Sequence, residues 1–358
     1  MKKVQLITHG DMDGRACAVI AHWFMNDVDL KVTYASYDNL DLRISDALND
    51  ERWDELWITD LGPSAKSIVS IERCVADGRI IKVCDHHKTS RAHDQMDFPW
   101  FYLDESLCGA QVFARALGMD YETPFLKVIQ AWDIWLTHNP DGTPYAWRHA
   151  GEMLNRYCLW LGNDQFLSFC LRQELPGIKT MGPGEFLEAC GEDAEKMMRL
   201  LQEKEENNVR RLAKRCTRRV DPDGNPYAFV VTIHNIGQLG EYLHQGLTRQ
   251  ELVKDEDAEY VETFWLDKDK IDPDLQHLDG CIYLLALNLE YGAASLRRIG
   301  NTDVSNMAKK HGGGGHAGAA GFQLKGSWQL WLADWFWTMV AANEKIPGYE
   351  EYRVYLED

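Results

Sequence analysis

Residues 1–14, MKKVQLITHGDMDG, join an apolar run to a group of histidine and aspartate residues. The apolar run Val4–Thr8 predicts a buried strand that leads directly into His9, Asp11 and Asp13. Similar runs predict three further strands: Leu30–Tyr34, Leu56–Thr59 and Arg79–Cys84. Segments with helical spacing lie between these strands: Gly14–Met25, Asp41–Asn49 and Ser64–Val75. Because strands that alternate with helices are typical of βαβ units, we expect an α/β fold with a mainly parallel sheet.

The rest of the chain predicts a second domain, because 358 residues exceed the size at which a single core usually stops growing. A helical stretch includes Pro124–Thr137 and Glu185–Arg219, and the breaker cluster Asp221–Pro226 follows it. Beyond this cluster we predict strands, a helix and an aromatic helical tail: Ala228–Ile233, Cys281–Leu289, Ala293–Arg298, Asp303–Lys310, Phe322–Leu324 and Trp328–Ala342. The predicted organisation is an α/β domain at 1–180, a helical linker at 181–223 and a smaller α/β domain at 224–358.

Composition limits the partners and the compartment. The net charge of −18 argues against a groove for a long duplex, since a protein that grips duplex phosphates needs a basic stripe. Short anionic substrates remain compatible, because bound cations can reverse the local field. The nine cysteines form no CxxC pair, which is typical of a reducing compartment. With no pattern of a signal peptide or a spanning helix, we expect a cytoplasmic protein with no membrane partner, and the aromatic-rich helices allow a homodimer.

Candidate metal ligands follow three of the four predicted strands: His9, Asp11 and Asp13 after the first, Asp60 after the third, and Asp85-His86-His87 after the fourth. Ligands of open parallel sheets bind outside the carboxyl ends of the strands, so these side chains should lie close together. Asp133 adds a carboxylate within an apolar helical segment, where an unpartnered charge is costly to bury.

These residue types predict a two-metal centre. Several carboxylates on one rim would repel each other or take up protons unless cations lay among them. Mixed imidazole and carboxylate ligation favours Mn²⁺, with Zn²⁺, Fe²⁺ and Co²⁺ as alternatives and Mg²⁺ less favoured. Two such ions bridged by a shared carboxylate form the usual clamp for in-line phosphoryl displacement. We therefore expect a hydrolytic site with these metal ligands: His9, Asp11, Asp13, Asp60, His86 and Asp133.

Each motif also has a simpler interpretation. DMDG could be a loop or a helix N-cap, and Asp60 could be a turn residue. The stretch Asp85-His86-His87 could be a surface turn, and Asp133 could lie on the exposed face of an amphipathic helix. Their joint occurrence at the ends of alternating strands favours the metal centre.

The order of the motifs resembles the DHH phosphoesterase superfamily. The residues that carry this resemblance are His9-x-Asp11-x-Asp13-Gly14, then Asp60, then Asp85-His86-His87, then Asp133. Near the other end of the chain, Ser295-Leu296-Arg297, the run GGGGH at 312–316 and Ala319-Ala320-Gly321 resemble the DHH-associated C-terminal domain. The segment 148–225 matches no motif of this family.

The resemblance implies a role for each residue. One metal would be held by His9, Asp11 and Asp60, and the other by Asp13, Asp60, His86 and Asp133, so that Asp60 would bridge them. Asp85 would orient a ligand, and His87 would contact the substrate phosphate or assist proton transfer. A phosphate or a terminal nucleotide would be bound by Arg297, Gly313, Gly314, Gly315 and His316.

The last of these roles also has a physical basis. Glycines let backbone N–H groups approach an anion closely, although a glycine run without flanking motifs could also be a flexible turn. Arg297 suits bidentate recognition of a phosphate, whereas Arg298, next to it on a predicted strand, should face the other way.

Within the superfamily, the short HxDxDG opening and the chain length most resemble oligoribonucleases of the nanoRNase B type. This resemblance implies a metal-dependent phosphodiesterase that hydrolyses short oligoribonucleotides or dinucleotides to mononucleotides, together with phosphatase activity on 3′-phosphoadenosine 5′-phosphate. One alternative is a cyclic-dinucleotide phosphodiesterase. An alternative of another class is a non-catalytic protein that binds nucleotides or serves as a scaffold.

Overall fold

The structure of the chain is a computed structural model, which describes residues 1–25, 27–90, 97–139, 141–232, 236–254, 260–266, 271–288, 292–315 and 317–324. His316 and the predicted tail helix Trp328–Ala342 lie outside the described residues. Contacts group the chain into two compact units, Met1–Glu203 and Lys204–Asp358. The domain bounds 1–180, 181–223 and 224–358 stay a prediction.

The first unit is built on a sheet of parallel strands: β1 (Lys2–His9), β2 (Val28–Ala35), β3 (Glu55–Thr59), β4 (Ile80–Asp85) and β5 (Phe101–Leu103). Their spatial order is β2-β1-β3-β4-β5, and every neighbouring pair is parallel. This confirms the predicted α/β fold. Because β2 and β3 flank β1 on opposite sides, the carboxyl ends of β1 and β3 form the crevice where such sheets bind ligands.

Helices connect and cover these strands: α1 (Met12–Phe24), α2 (Leu40–Leu48), α3 (Ala65–Ala76), α4 (Gly109–Ala116), α5 (Pro124–Asp133), α6 (Arg148–Leu161), α7 (Asn163–Arg172), α8 (Pro183–Ala189) and α9 (Glu192–Arg215). Their starts follow from capping. The side chains of Asp11, Ser64 and Thr123 accept hydrogen bonds from backbone N–H groups in the first turns of α1, α3 and α5. The predicted strands and helices up to Cys84 differ from the observed ones by at most two residues at each end, as Val4 does from Lys2.

Two helical predictions were wrong. The helix expected at Pro124–Thr137 ends at Asp133. Trp135 has a left-handed φ of 59°, and a right-handed helix cannot continue through such a residue. The helix expected at Glu185–Arg219 is two helices, α8 and α9, separated at Gly191 with φ of 93°. The end of that segment is instead a strand, β6 (Thr217–Val220).

Both faces of the first sheet are covered. The adjacent residues Leu6 and Ile7 are fully buried, but Leu6 packs in the cluster that contains α1, α4 and α5, and Ile7 in the cluster with Ile44 of α2 and Ile68 of α3. Successive side chains of a strand point to opposite faces, so this division shows helices on both sides. The nine cysteines are free, and all except Cys74 are buried.

The second unit contains a mixed sheet: β6, β7 (Pro226–Val231), β10 (Tyr283–Asn288), β11 (Ala293–Arg298), β12 (Gly314–Gly315) and β13 (Ala319–Gln323). Its order is β12-β13-β11-β10-β7-β6, with β7 and β10 parallel and the other pairs antiparallel. The cluster Asp221–Pro226 makes the turn between β6 and β7, where Asp221 N–H donates to Asn225 O at 2.9 Å. This confirms the predicted smaller α/β fold.

The second unit also contains α10 (Ile236–Leu247), the antiparallel pair β8 (Thr248–Lys254) and β9 (Tyr260–Leu266), and α11 (Ser305–Lys310). Leu239 and Leu243 of α10 pack on Leu284 and Ala286 of β10, which places the core of this unit under α10. Short 3-10 turns lie at Lys88–Ser90, Leu175–Gly177 and Pro273–Leu278. Within the described ranges, no helix has the length and apolar character that crossing a bilayer needs.

Candidate metal centre

The carboxyl edge of the first sheet brings all six predicted metal ligands together in two groups: His9, Asp11 and Asp60, and Asp13, His86 and Asp133. A third group of candidate ligand atoms joins Asp60 and His86 to His87. His9 is the last residue of β1, Asp60 follows β3, and His86 follows β4. Asp133 is the last residue of α5. Within each group the candidate ligand atoms lie within 4.8 Å of one another, the spacing that a shared cation requires.

Asp60 links the two groups through its two carboxylate oxygens. His9 Nδ1 lies 3.8 Å from Asp60 Oδ2 and 2.8 Å from Asp11 Oδ2. His86 Nε2 lies 3.2 Å from the other oxygen, Asp60 Oδ1, and 3.4 Å from Asp133 Oδ2. One carboxylate therefore presents a different oxygen to each group, which is the arrangement that a bridging ligand needs.

The backbone fixes Asp60 in this position. Its φ of 56° is left-handed, a conformation that aspartate tolerates better than most residues other than glycine. The N–H of Asp60 donates to Cys84 O at 2.8 Å, and the residue is 1% exposed. Sparsely populated backbone conformations of this kind cluster at functional sites, where the surrounding structure enforces them.

Unpartnered polar atoms show that the group of residues fits a cation. Among the described residues, Asp60 Oδ2, His86 Nε2 and Asp133 Oδ2 are buried without a hydrogen-bond partner. Buried polar atoms are normally paired, because an unpaired one forfeits its hydration. A divalent cation in each group would supply the missing partners: the first to Asp60 Oδ2, and the second to His86 Nε2 and Asp133 Oδ2.

The protonation states point the same way. Burial and the charges of Asp13 and Asp11 raise the pKa of Asp60 and of Asp133 well above the usual aspartate range. Burial lowers the pKa of His86, which keeps its imidazole in the neutral form that ligates metals. Without a cation the two carboxyl groups would hold protons, whereas a divalent ion would keep them ionised.

The N-terminus of α4 holds Asp13. The backbone N–H groups of Gly109 and Ala110 donate to Asp13 Oδ2 at 2.6 Å and to Asp13 Oδ1 at 2.9 Å. A helix N-terminus stabilises a negative charge, and each carboxylate oxygen keeps a lone pair for a metal. A Cβ at Gly109 would lie 2.8 Å from Asp60 Cβ, so glycine is required for this close approach. Gly109 was not predicted from the sequence, because the stretch Cys108–Ala110 has no pattern typical of a ligand site.

Asp85 contacts His87 and Ser90 through its two carboxylate oxygens. Its Oδ1 lies 2.7 Å from His87 Nδ1, and its Oδ2 accepts a hydrogen bond from Ser90 Oγ at 2.5 Å. Although burial raises the pKa of Asp85, the bonds from His87 and Ser90 lower it below the usual range. With Nδ1 directed to Asp85, Nε2 is the ring nitrogen of His87 that remains for another partner. Ser90 is a further residue that was not predicted from the sequence.

In the second unit, Arg297 and the glycine run lie in the same sheet, on strands that are separated by β13. Arg297 of β11 pairs with Ala319 of β13, which in turn pairs with β12 (Gly314–Gly315). A Cβ at Gly313 would lie 2.0 Å from Gly321 O, so a side chain there would clash with backbone. The run therefore pairs with β13 as a strand in part, and is not simply a flexible turn. His316 lies outside the described residues.

The parallel sheet and the histidine–aspartate cluster at its carboxyl edge define an α/β protein with a candidate two-metal centre. No protein-family model matches the chain. The curated oligoribonuclease NrnB of Bacillus subtilis (strain 168) is 24% identical over 344 residues, which are 92% of this chain and 75% of that protein. The predicted resemblance to DHH phosphoesterases of the nanoRNase B type is thereby confirmed.

Solved structures also resemble the chain. The pGpG-specific phosphodiesterase PggH from Vibrio cholerae is 15% identical and matches 95% of this chain and 99% of its own, with a TM-score of 0.44. RecJ from Thermus thermophilus, in complex with Mn²⁺, is 15% identical and matches 90% of this chain and 50% of its own, with a TM-score of 0.44.

Proposed function

We propose that this chain is a metal-dependent phosphodiesterase that hydrolyses short oligoribonucleotides or dinucleotides to mononucleotides. The observation that carries the proposal is the carboxylate of Asp60, which presents one oxygen to each of two groups of ligand atoms. The similarity to the oligoribonuclease NrnB supports the choice of substrate class. The net charge of −18 favours a short substrate over a long duplex.

The cofactors in this proposal are two divalent cations, with Mn²⁺ as the proposed metal. One would be held by His9, Asp11 and Asp60, and the other by Asp13, Asp60, His86 and Asp133. Such a pair activates water and neutralises charge on the attacking and leaving oxygens. The bonds from Gly109 and Ala110 keep Asp13 in place for this task.

The side chain of His87 is proposed to act on the scissile phosphate. Asp85 holds Nδ1 of this histidine at 2.7 Å, which fixes the ring and leaves Nε2 to contact the phosphate or to move a proton. Although burial lowers the pKa of His87, the bond to Asp85 raises it above the usual range, which favours the protonated donor.

Recognition of the nucleotide is assigned to residues of the second unit. Arg297, Gly313, Gly314, Gly315 and His316 are proposed to bind a phosphate or a terminal nucleotide. Burial lowers the pKa of Arg297, yet a guanidinium remains charged in proteins, so it would still pair with a phosphate. Gly240 of α10 leaves room for this side chain, because a Cβ there would lie 2.6 Å from Arg297 Cβ.

Hydrolysis by the purified chain tests the proposal. The panel contains short RNAs (dinucleotides and slightly longer), a long RNA, 3′-phosphoadenosine 5′-phosphate, cyclic dinucleotides and pyrophosphate, each with Mn²⁺ and then with excess chelator. We expect metal-dependent release of mononucleotides from the short RNAs. Faster hydrolysis of a cyclic dinucleotide than of the short RNAs would make the cyclic dinucleotide the substrate. Bound Mn²⁺ without turnover of any substrate would favour the non-catalytic alternative.

A further inference from the structure

Tyr37 lies beside the candidate metal centre, in the turn between β2 and α2. Its ring centroid is 6.2 Å from that of His9 and 5.8 Å from that of His87, and the contact with His87 is edge-to-face at 89°. These two histidines belong to different parts of the site, because His9 is a candidate metal ligand and His87 is held by Asp85. Tyr37 therefore borders the site between them, and 51% of the residue is exposed to solvent.

The hydroxyl of Tyr37 is a hydrogen-bond donor. The ordinary pKa of a phenol is about 10, so the hydroxyl is protonated at neutral pH. Among the described residues, no hydrogen bond of this hydroxyl is present, so its donor is not used by the protein itself.

This combination suits an anionic substrate. A lysine or arginine at this place would pair with the neighbouring aspartates and compete with cations for them. A neutral phenol supplies a donor without adding such a charge, and its bond to an ionised phosphate oxygen is stronger than a bond between neutral groups.

We infer that Tyr37 is a substrate-binding residue whose hydroxyl donates a hydrogen bond to a non-bridging oxygen of the scissile phosphate. The inference deepens the proposed function and rests on it, since it requires a phosphate at the histidine–aspartate cluster.

The test compares Tyr37→Phe with the wild-type chain on a dinucleotide and on bis(4-nitrophenyl) phosphate, with Mn²⁺ affinity measured by calorimetry. The phenylalanine keeps the ring contacts with both histidines and removes only the hydroxyl. We expect kcat/KM to fall by about 10- to 100-fold on both substrates, the usual loss for a bond to a charged group, with Mn²⁺ affinity unchanged. The matched control is Tyr157→Phe, which removes a hydroxyl from a ring stacked on Trp160 and should leave kcat/KM unchanged.

Unchanged kcat/KM in Tyr37→Phe would overturn the inference, and so would a loss that is matched by weaker Mn²⁺ binding. Failure of the proposed function is recognised separately. If the wild-type chain hydrolyses the aryl diester but no short RNA, the substrate proposal fails and the aryl diester alone decides the role of Tyr37. If it hydrolyses neither, the affinity of a dinucleotide in the presence of Mn²⁺ decides: weaker binding by Tyr37→Phe supports the contact, and equal binding contradicts it.

Discussion

The histidine–aspartate cluster of the first unit and the glycine–arginine region of the second are built in opposite ways. The cluster draws side chains from the ends of β1, β3, β4 and α5 and from the start of α1, so residues as distant as His9 and Asp133 meet at one edge. The glycine–arginine region uses neighbouring strands, β11 to β13, and relies on backbone that no side chain obstructs. The cluster therefore depends on the whole sheet to bring its charged side chains together, whereas the glycine–arginine region depends on three strands that are close in the sequence.

Loss of the bridging carboxylate should have the largest effect. Asp60→Asn keeps the shape and tolerates the left-handed φ of 56°, but it removes the charge that both groups of ligands share. We expect kcat to fall by more than the roughly 10- to 100-fold that loss of an orienting partner typically costs. Steady-state hydrolysis of short RNA measures this.

Asp97 provides the matched control, because it is an exposed aspartate that also has a left-handed φ, of 51°. Asp97→Asn should leave kcat unchanged. Full activity in Asp60→Asn would contradict the claim that the two groups of ligands form one centre.

Gly109→Ala should have the next largest effect. The added Cβ would lie 2.8 Å from Asp60 Cβ and 3.0 Å from Asp13 Oδ2, so both carboxylates must move. We expect Mn²⁺ affinity and activity to fall by about 10- to 100-fold, as for other outer-shell changes. The control is Gly184→Ala in α8, where a Cβ meets nothing within 4 Å. If Gly109→Ala binds Mn²⁺ as tightly as the wild-type chain, α4 does not position the ligands.

Arg297→Ala tests the other region of the comparison. We expect KM for a dinucleotide to rise by about tenfold, the loss of a bond to a charged group, with little change for bis(4-nitrophenyl) phosphate. Arg218→Ala is the control, since Arg218 lies on β6 at the opposite edge of the same sheet and donates to Asp279 O at 2.9 Å. Equal rises in KM for both substrates would show that Arg297 does not recognise the nucleotide.

Ser90→Ala should have the smallest effect. It removes the hydrogen bond from Ser90 Oγ to Asp85 Oδ2 and leaves the bond between Asp85 and His87 in place. A single hydrogen bond contributes about 1 kcal/mol, so we expect kcat to fall by about fivefold. Ser70→Ala is the control, because Ser70 Oγ donates only to Lys66 O at the exposed surface of α3. A fall in kcat as large as that of Asp60→Asn would contradict this and would indicate that Ser90 and Asp85 take part directly in metal binding.

Much of the fold and of the ligand set could be predicted from the sequence. Apolar runs such as Val4–Thr8 have the length and spacing of buried strands, and the helices between them require parallel pairing. Since parallel strands end at one edge, His9, Asp60 and His86 were expected to meet although they are far apart in the chain.

The residues that were missed lack such a pattern. Strand β5 has three residues, Phe101–Leu103, which is too short for a period to show. Gly109 contributes its backbone N–H and the absence of a side chain, which no sequence pattern marks. Tyr37 is far from His9 and His87 in the sequence, and only the fold brings its ring beside theirs. The division between α8 and α9 depends on the single left-handed Gly191 within an otherwise helical composition.

The number of Mn²⁺ ions bound per chain distinguishes a shared two-metal centre from a site for a single ion. Calorimetric titration, checked by elemental analysis of the dialysed protein, gives this number without depending on activity. We expect two ions per wild-type chain and fewer than two in Asp60→Asn, with two retained in Asp97→Asn. A single ion in the wild-type chain, or two ions that persist in Asp60→Asn, would contradict the shared two-metal centre.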